Sequence, residues 1–134
     1  MTPCARTLAL MRRSGYLAAV VESWLPYANR RRDLFGCFDV LAVHPVRREM
    51  VLIQTTTAGH LAHRLAKVKA AAELPGLLAA GCKVQVHGWK RQGTRWHVKV
   101  VEMRAADLHA VVACPLPRRA RRLHQKRLFR EWES

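Results

Sequence analysis

Two carboxylates and one carboxamide stand out because the chain has few acidic residues. Nine Asp and Glu residues face 24 Lys and Arg residues, for a formal net charge of +15. Asp33 and Asp39 nevertheless lie close together, directly after three consecutive arginines, and Gln54 follows in the next apolar stretch. Asp39 opens an apolar run typical of a buried strand, where a carboxylate is costly unless a partner such as a hard metal ion offsets the cost. In so basic a chain, this pattern indicates an enzyme that holds a metal ion against a phosphate backbone.

A hairpin would position these residues. We predict strands over residues 38–43 and 50–56, joined by a turn at 44–48. A hairpin centred between residues 46 and 47 places Asp39 directly opposite Gln54. In the second strand Gln54 and Thr56 share one face, whereas Thr55 lies on the other. We therefore expect Gln54 and Thr56 to emerge beside Asp39.

The remaining elements follow from apolar periodicity and from Pro, Gly and capping residues. They are a helix from Pro3 to about Ser14 capped by Thr2, a strand over 16–24, an amphipathic helix from Ala58 capped by Thr57, a short helix over 74–80, and strands over 83–89 and 96–103. The predicted order is α-β-β-β-α-β-β, which indicates an α/β or α+β fold with a mixed β-sheet flanked by helices.

Four motifs, spanning roughly residues 7–104, together resemble the PD-(D/E)xK nuclease superfamily. The chain is most similar to a family of small uncharacterised phage and bacterial proteins of that type, with E-x-W, R-x-D-L-F-G-x-x-D, I-Q-x-T and H-G-W…W patterns. They occur here as Glu22-Ser23-Trp24, RRDLFGCFD ending at Asp39, Ile53-Gln54-Thr55-Thr56, and His87-Gly88-Trp89 with Trp96. The resemblance implies a restriction-endonuclease-like core in a single domain over residues 1–114, followed by a basic C-terminal tail over 115–134.

The resemblance also implies a metal-dependent DNA endonuclease that uses Mg²⁺ or Mn²⁺. Asp39 would be the principal metal ligand, Gln54 the second and Glu22 a further one. Asp33 would either join the metal site or pair with a neighbouring arginine to order its loop.

The chain departs from the superfamily at two catalytic positions. Gln54 stands where an acidic residue is usual, and Thr56 where a lysine is usual. A carboxamide oxygen still binds Mg²⁺ but adds no charge. We expect Lys67, on the basic face of the following helix, to supply the missing cation and either to stabilise the charge that develops on the phosphate or to orient the attacking water.

The basic residues predict a nucleic-acid partner, most simply DNA. The candidate contacts are Arg31, Arg32, His63, Arg64, Lys90, Arg91, Arg95, Arg118, Arg119, Arg121 and Arg122. The tail is interpreted as either a nucleic-acid arm or a docked helix. Trp24, Trp89 and Trp96 are expected to serve packing rather than to stack on bases.

Other functions stay open at this point. A non-catalytic nucleic-acid-binding protein on the same fold is the main alternative, and a small RNA-associated protein is a third. For the nuclease, size and basicity suit a Holliday-junction or branched-DNA resolvase acting as a homodimer, or a phage repair nuclease. No apolar run approaches the roughly 18–20 residues that a membrane helix needs, so we expect no membrane partner. At the N-terminus the positive charges follow the apolar stretch, which is the reverse of a secretory signal, so we expect a cytoplasmic location. The four scattered cysteines are expected to be reduced thiols, with Cys37 and Cys82 in or near the core.

Overall fold

A computed structural model describes residues 1–105 and has a mixed α/β architecture. The predicted tail over 115–134, with Arg118, Arg119, Arg121 and Arg122, lies outside the described residues. The elements are α1 (Pro3–Arg13), β1 (Leu17–Val20), β2 (Ser23–Leu25), β3 (Arg30–Arg32), β4 (Val40–His44), β5 (Glu49–Thr57), a 3₁₀ turn (Ala58–His60), α2 (Leu61–Lys69), α3 (Leu74–Ala79), β6 (Lys83–Gln92) and β7 (Arg95–Met103).

Five strands form one mixed sheet in the order β1-β4-β5-β6-β7. Strands β5 and β6 are parallel, and the other neighbours are antiparallel. Parallel neighbours need a crossover connection, which α2 and α3 provide. When only the strands of this sheet are counted and α2 and α3 are taken as one helical segment, the order of elements along the chain is the predicted α-β-β-β-α-β-β.

Strand β5 is the centre of the molecule, because apolar clusters cover both of its faces. On one face Val51 and Ile53 pack with Met11 of α1. On the other, Leu52 packs with Leu61 and Val68 of α2. Residues 51–56 are all buried. Any polar side chain at the end of this strand therefore lies close to two apolar layers.

Both helices that flank β5 begin near predicted positions, but their caps differ. The Thr2 side chain accepts a hydrogen bond from the N–H of Ala5 at 3.2 Å, and Pro3 is the first residue of α1, as predicted. Thr57 makes no such bond, and the 3₁₀ turn precedes α2. The predicted Thr57 side-chain cap is therefore wrong, and α2 begins three residues later than expected.

The predicted strand over residues 16–24 is also wrong, because it is two strands in different sheets. Val20 is opposite Val40, the first residue of β4, and the N–H of Val21 donates to the carbonyl of Asp39. Beyond that point β1 has no neighbour to pair with. The chain leaves the sheet, and β2 pairs with β3 in a separate two-stranded ribbon in which Trp24 is opposite Arg31.

In the described part of the chain, no helix is both long and apolar enough to cross a membrane.

Candidate functional site

Asp39 lies at the junction of β4 and β5, where the strand pairing becomes irregular. The register Val40↔Ile53 is the one predicted from the hairpin centre. The N–H of Asp39, however, also donates to the carbonyl of Ile53 at 3.1 Å. Two residues of one strand thus oppose a single residue of the next, which is the arrangement of a β-bulge. Bulges redirect side chains, and this one changes the partner of Asp39.

The Asp39 carboxylate binds Thr55, not Gln54. The N–H of Thr55 donates to Asp39 Oδ1 at 2.9 Å, and the Thr55 hydroxyl donates to Oδ2. Alternation along β5 places Gln54 and Thr56 on the opposite face from Thr55. The predicted register is confirmed, but the expectation that Gln54 and Thr56 would be the direct partners of Asp39 is wrong. Sequence patterns do not reveal a bulge, so Thr55 was missed.

Burial makes the ionised form of Asp39 costly. The residue is only 8% exposed, and desolvation raises its pKa from 3.8 to about 6. The hydrogen bonds from Thr55 oppose this shift, and the negative charge of Asp33 adds to it. A buried carboxylate with a raised pKa is the kind of group that a cation would stabilise.

Gln54 carries an unused oxygen on the other face of β5, the face that α2 covers. Its side chain is buried, at 3% exposure, and its Nε2 donates to the carbonyl of Thr55 at 3.1 Å. Its Oε1 is fully buried and accepts no hydrogen bond from any described residue. Buried polar atoms are almost always paired, so an orphaned acceptor here calls for a cause such as a ligand.

The other two predicted carboxylates lie in the same neighbourhood. The thiol of Cys4, in α1, has a pKa raised to about 11, first by burial and then by the charges of Asp39, Glu22 and Asp33. These three carboxylates therefore lie within electrostatic range of one thiol near the start of α1. Cys4 has no motif around it, and no pattern in the sequence indicates that it lies here.

Glu22 is paired with an arginine, and Asp33 lines a groove. Glu22 accepts a hydrogen bond from Arg31 at 2.7 Å, in an ion pair across the β2–β3 ribbon. Asp33 lines an open groove of about 400 Å³ with Arg32 and Glu73. Within residues 1–105, no three His, Cys, Asp or Glu side chains are grouped so that they could hold a metal ion by themselves. Asp39 would therefore need water or phosphate oxygens to complete a coordination shell.

Lys67 lies on the exposed face of α2. Its positive charge acts on the buried thiol of Cys37, as does the negative charge of Asp33. No hydrogen bond or ion pair joins it to Asp39 in the described residues. Of the other predicted contacts on α2, His63 is exposed, and Arg64 is half-buried with its Nε unpaired among the described residues.

A second polar cluster lies on the face of the sheet that α1 covers, the same face that carries Thr55. The Trp89 indole N–H donates to Thr7 Oγ1 at 2.9 Å, and that hydroxyl lies 3.3 Å from His87 Nδ1. His87 Nε2 lies 2.9 Å from Gln85 Oε1. Since Gln85 Oε1 only accepts, His87 carries its proton on Nε2, and Thr7 donates to Nδ1. Burial lowers the pKa of His87 to about 4, so this histidine is neutral at pH 7.

This cluster explains the H-G-W motif. His87 and Trp89 connect β6 to α1, and Gly88 packs against Leu61 on the opposite face, where an added Cβ would lie 3.2 Å from a Leu61 methyl carbon. The motif thus ties both helical layers to the strand next to β5. Trp89 is 7% exposed, so its predicted packing role is confirmed, whereas Trp24 and Trp96 are 56% and 39% exposed and do not fit that prediction.

Comparisons of this chain with protein-family models, with curated proteins and with solved structures give no match.

Proposed function

We propose that this protein is a metal-dependent nuclease that hydrolyses phosphodiester bonds in DNA, on a restriction-endonuclease-like core. The observation that carries the proposal is Asp39, a buried carboxylate with a raised pKa that a β-bulge holds against Thr55. Retaining such a group without a cationic ligand would cost stability and bring no gain. The net charge of +15 is the second support, because it suits a polyanionic substrate.

The residues present fit a Mg²⁺ or Mn²⁺ ion. Asp39 offers carboxylate oxygens that would bind the ion together with water and phosphate oxygens, whereas Gln54 Oε1 is a buried hard donor on the opposite face of β5 from Thr55. Mg²⁺ commonly keeps several waters and binds through one or two protein ligands plus substrate phosphates. When bound, the ion would supply an activated water and polarise the phosphodiester. Asp33 and Glu22 would add to the negative field of the site, Glu22 after releasing Arg31.

The surrounding residues then have definite tasks. Thr55 fixes both oxygens of Asp39 through its N–H and its hydroxyl, and thereby orients the carboxylate. Arg32 and the exposed face of α2, with His63 and Lys67, would bind the phosphate backbone. We assign Lys67 to phosphate binding and charge stabilisation rather than to proton transfer, because nothing in the described residues joins its ammonium to Asp39.

Plasmid cleavage tests this proposal. Wild-type protein should nick or linearise supercoiled plasmid in Mg²⁺ or Mn²⁺ and should lose this activity in EDTA. The substitution Asp39→Asn keeps the shape of the side chain and should abolish cleavage. Glu49→Gln is a matched control, because it removes a carboxylate that pairs with Lys83 at the other end of β5, and it should leave cleavage unchanged. Four-way junctions in the same assay would test the preference for branched DNA, and light scattering with and without DNA would test the homodimer.

A second candidate is a nucleic-acid-binding protein that does not cleave. The observations that favour it are the uncharged Gln54 and Thr56 and the ion pair that occupies Glu22. Tight, salt-dependent binding to DNA, with no product in either metal for wild type or Asp39→Asn, would establish this candidate in place of the nuclease.

A further inference from the structure

An open groove lies beside the candidate site, at the end of β5 that carries Thr55. It has a volume of about 510 Å³ and is lined by residues 57–59, Trp89, Lys90, Arg91 and Trp96. Thr55 is paired with His87 on β6, and Thr57 is paired with Trp89. The groove thus begins two residues beyond the residue that holds Asp39, which corresponds to about 7 Å along a strand.

The aromatic wall of this groove is preorganised. Trp89 is fixed by its hydrogen bond to Thr7. Trp96 has the Arg6 guanidinium carbon 3.8 Å from its ring centroid, so a cation covers one face of the indole. The ring nevertheless remains 39% exposed. An exposed tryptophan held in place in this way presents an aromatic surface with little entropy left to lose on binding.

The rim of the groove is basic. Lys90 and Arg91 are exposed, and the side chain of Arg91 is braced by a 2.9 Å hydrogen bond from its Nε to the carbonyl of Gly93 at the tip of the β6–β7 hairpin. Arg91 is directly opposite Trp96 in that hairpin, and Arg95 follows at its tip. Cations beside an aromatic face are the combination by which proteins hold single-stranded nucleic acid, with charges on the phosphates and a ring under a base.

We propose that this groove binds one unpaired nucleobase, stacked on Trp96, with the adjoining phosphates on Lys90 and Arg91. This deepens the proposed function and rests on its assumption of a nucleic-acid substrate. A base held here would place the neighbouring backbone toward Asp39. The substrate class is then nucleic acid with a single-stranded segment, such as a flap, a gap or an opened junction, rather than uninterrupted duplex.

Binding in EDTA tests this, since it excludes cleavage. Fluorescence anisotropy would compare a labelled oligothymidylate with an abasic strand of equal length, which keeps the phosphates and lacks the bases. Wild type should bind oligothymidylate more tightly than the abasic strand. Trp96→Ala should weaken oligothymidylate binding on the order of 5- to 150-fold, the range for loss of one stacked base, and should leave abasic binding little changed.

Two further variants make the test specific. Trp96→Phe keeps an aromatic ring and should restore most of the preference for bases. Trp24→Ala removes an exposed tryptophan of β2 that does not line the groove, and it should have no effect on the preference. Equal binding of both strands by wild type, or an unchanged preference in Trp96→Ala, would overturn the proposal. If either result occurs while wild type still cleaves plasmid, the groove proposal fails and the nuclease proposal holds. If wild type prefers strands with bases but does not cleave plasmid, the groove proposal holds and the nuclease proposal fails.

Discussion

Replacing Asp39 by asparagine should make the protein more stable, although it removes the central site residue. The asparagine side chain has nearly the same shape and can still accept the N–H of Thr55. What the substitution removes is the cost of burying a negative charge. The pKa of Asp39 is about 6 in the folded protein and 3.8 as the ordinary value. At about 1.4 kcal/mol per pH unit, ionisation at pH 7 costs the folded state about 3 kcal/mol.

The stability difference between wild type and Asp39→Asn should depend on pH in a defined direction. Below pH 3.8 the carboxyl is protonated in both states and costs nothing. Between pH 3.8 and 6 the unfolded chain loses the proton and the folded protein keeps it, so wild-type stability falls relative to Asp39→Asn as pH rises. Above pH 6 the difference levels off.

Thermal and urea unfolding from pH 4 to pH 8 would measure this. At pH 7 without metal, Asp39→Asn should melt higher, by roughly 10 °C for about 3 kcal/mol. Glu49→Gln is the control, because Lys83 and then Tyr16 hold the pKa of Glu49 below its usual range, so its removal should bring no gain in stability. Adding Mg²⁺ should raise the melting temperature of wild type and not that of Asp39→Asn. A variant that is less stable than wild type at pH 7, or a difference that does not change with pH, would refute the reasoning.

Three other changes have defined outcomes. Gln54→Glu places a carboxylate on the face of β5 opposite Thr55, so plasmid cleavage should reach its half-maximal rate at an unchanged Mg²⁺ concentration, and a lower concentration would show that this side chain is a metal ligand. His87→Ala leaves the Thr7 hydroxyl without its partner and creates a cavity, so it should lower the free energy of unfolding, measured in urea, by roughly 2–4 kcal/mol. The pKa of His87 is about 4 in the folded protein against an ordinary value of 6.5. The stabilisation by His87 should therefore be complete above pH 6.5 and decline as the pH falls to about 4. Gly88→Val should cost roughly 1–3 kcal/mol by crowding Leu61, whereas Gly59→Ala, which meets no atom within 4 Å among the described residues, should change stability little.

The sequence was sufficient to predict the hairpin that carries the site. The apolar runs and the turn between them define a centre of symmetry, and the register Val40↔Ile53 follows from that centre alone. The parallel β5–β6 pair, by contrast, brings together residues some thirty positions apart, and no local pattern reports such a contact. The split of the predicted strand over 16–24 has the same origin, since it depends on where β4 begins.

Within the site, the sequence did not predict the hydrogen bonds of Asp39. Asp39, Asp33 and Glu22 all act on the thiol of Cys4, but within residues 1–105 they do not form a group that could hold a metal ion by itself. The bond from Thr55 to Asp39 was not predicted, because a bulge shifts a side chain to another face without leaving a mark in the apolar pattern. The lack of a partner for Gln54 Oε1 could not be predicted from the sequence either, because it depends on the positions of all neighbouring polar atoms.

Metal-dependent cleavage by matched proteins tests the central proposal most directly. Wild type and Asp39→Asn, at equal concentration and with folding verified by their unfolding curves, would be incubated with supercoiled plasmid in Mn²⁺, in Mg²⁺ and in EDTA. We predict nicked or linear product from wild type in metal alone, and none from Asp39→Asn, which should at the same time be the more stable protein. Equal cleavage by both proteins, or DNA binding by wild type with no product in either metal, would contradict the nuclease.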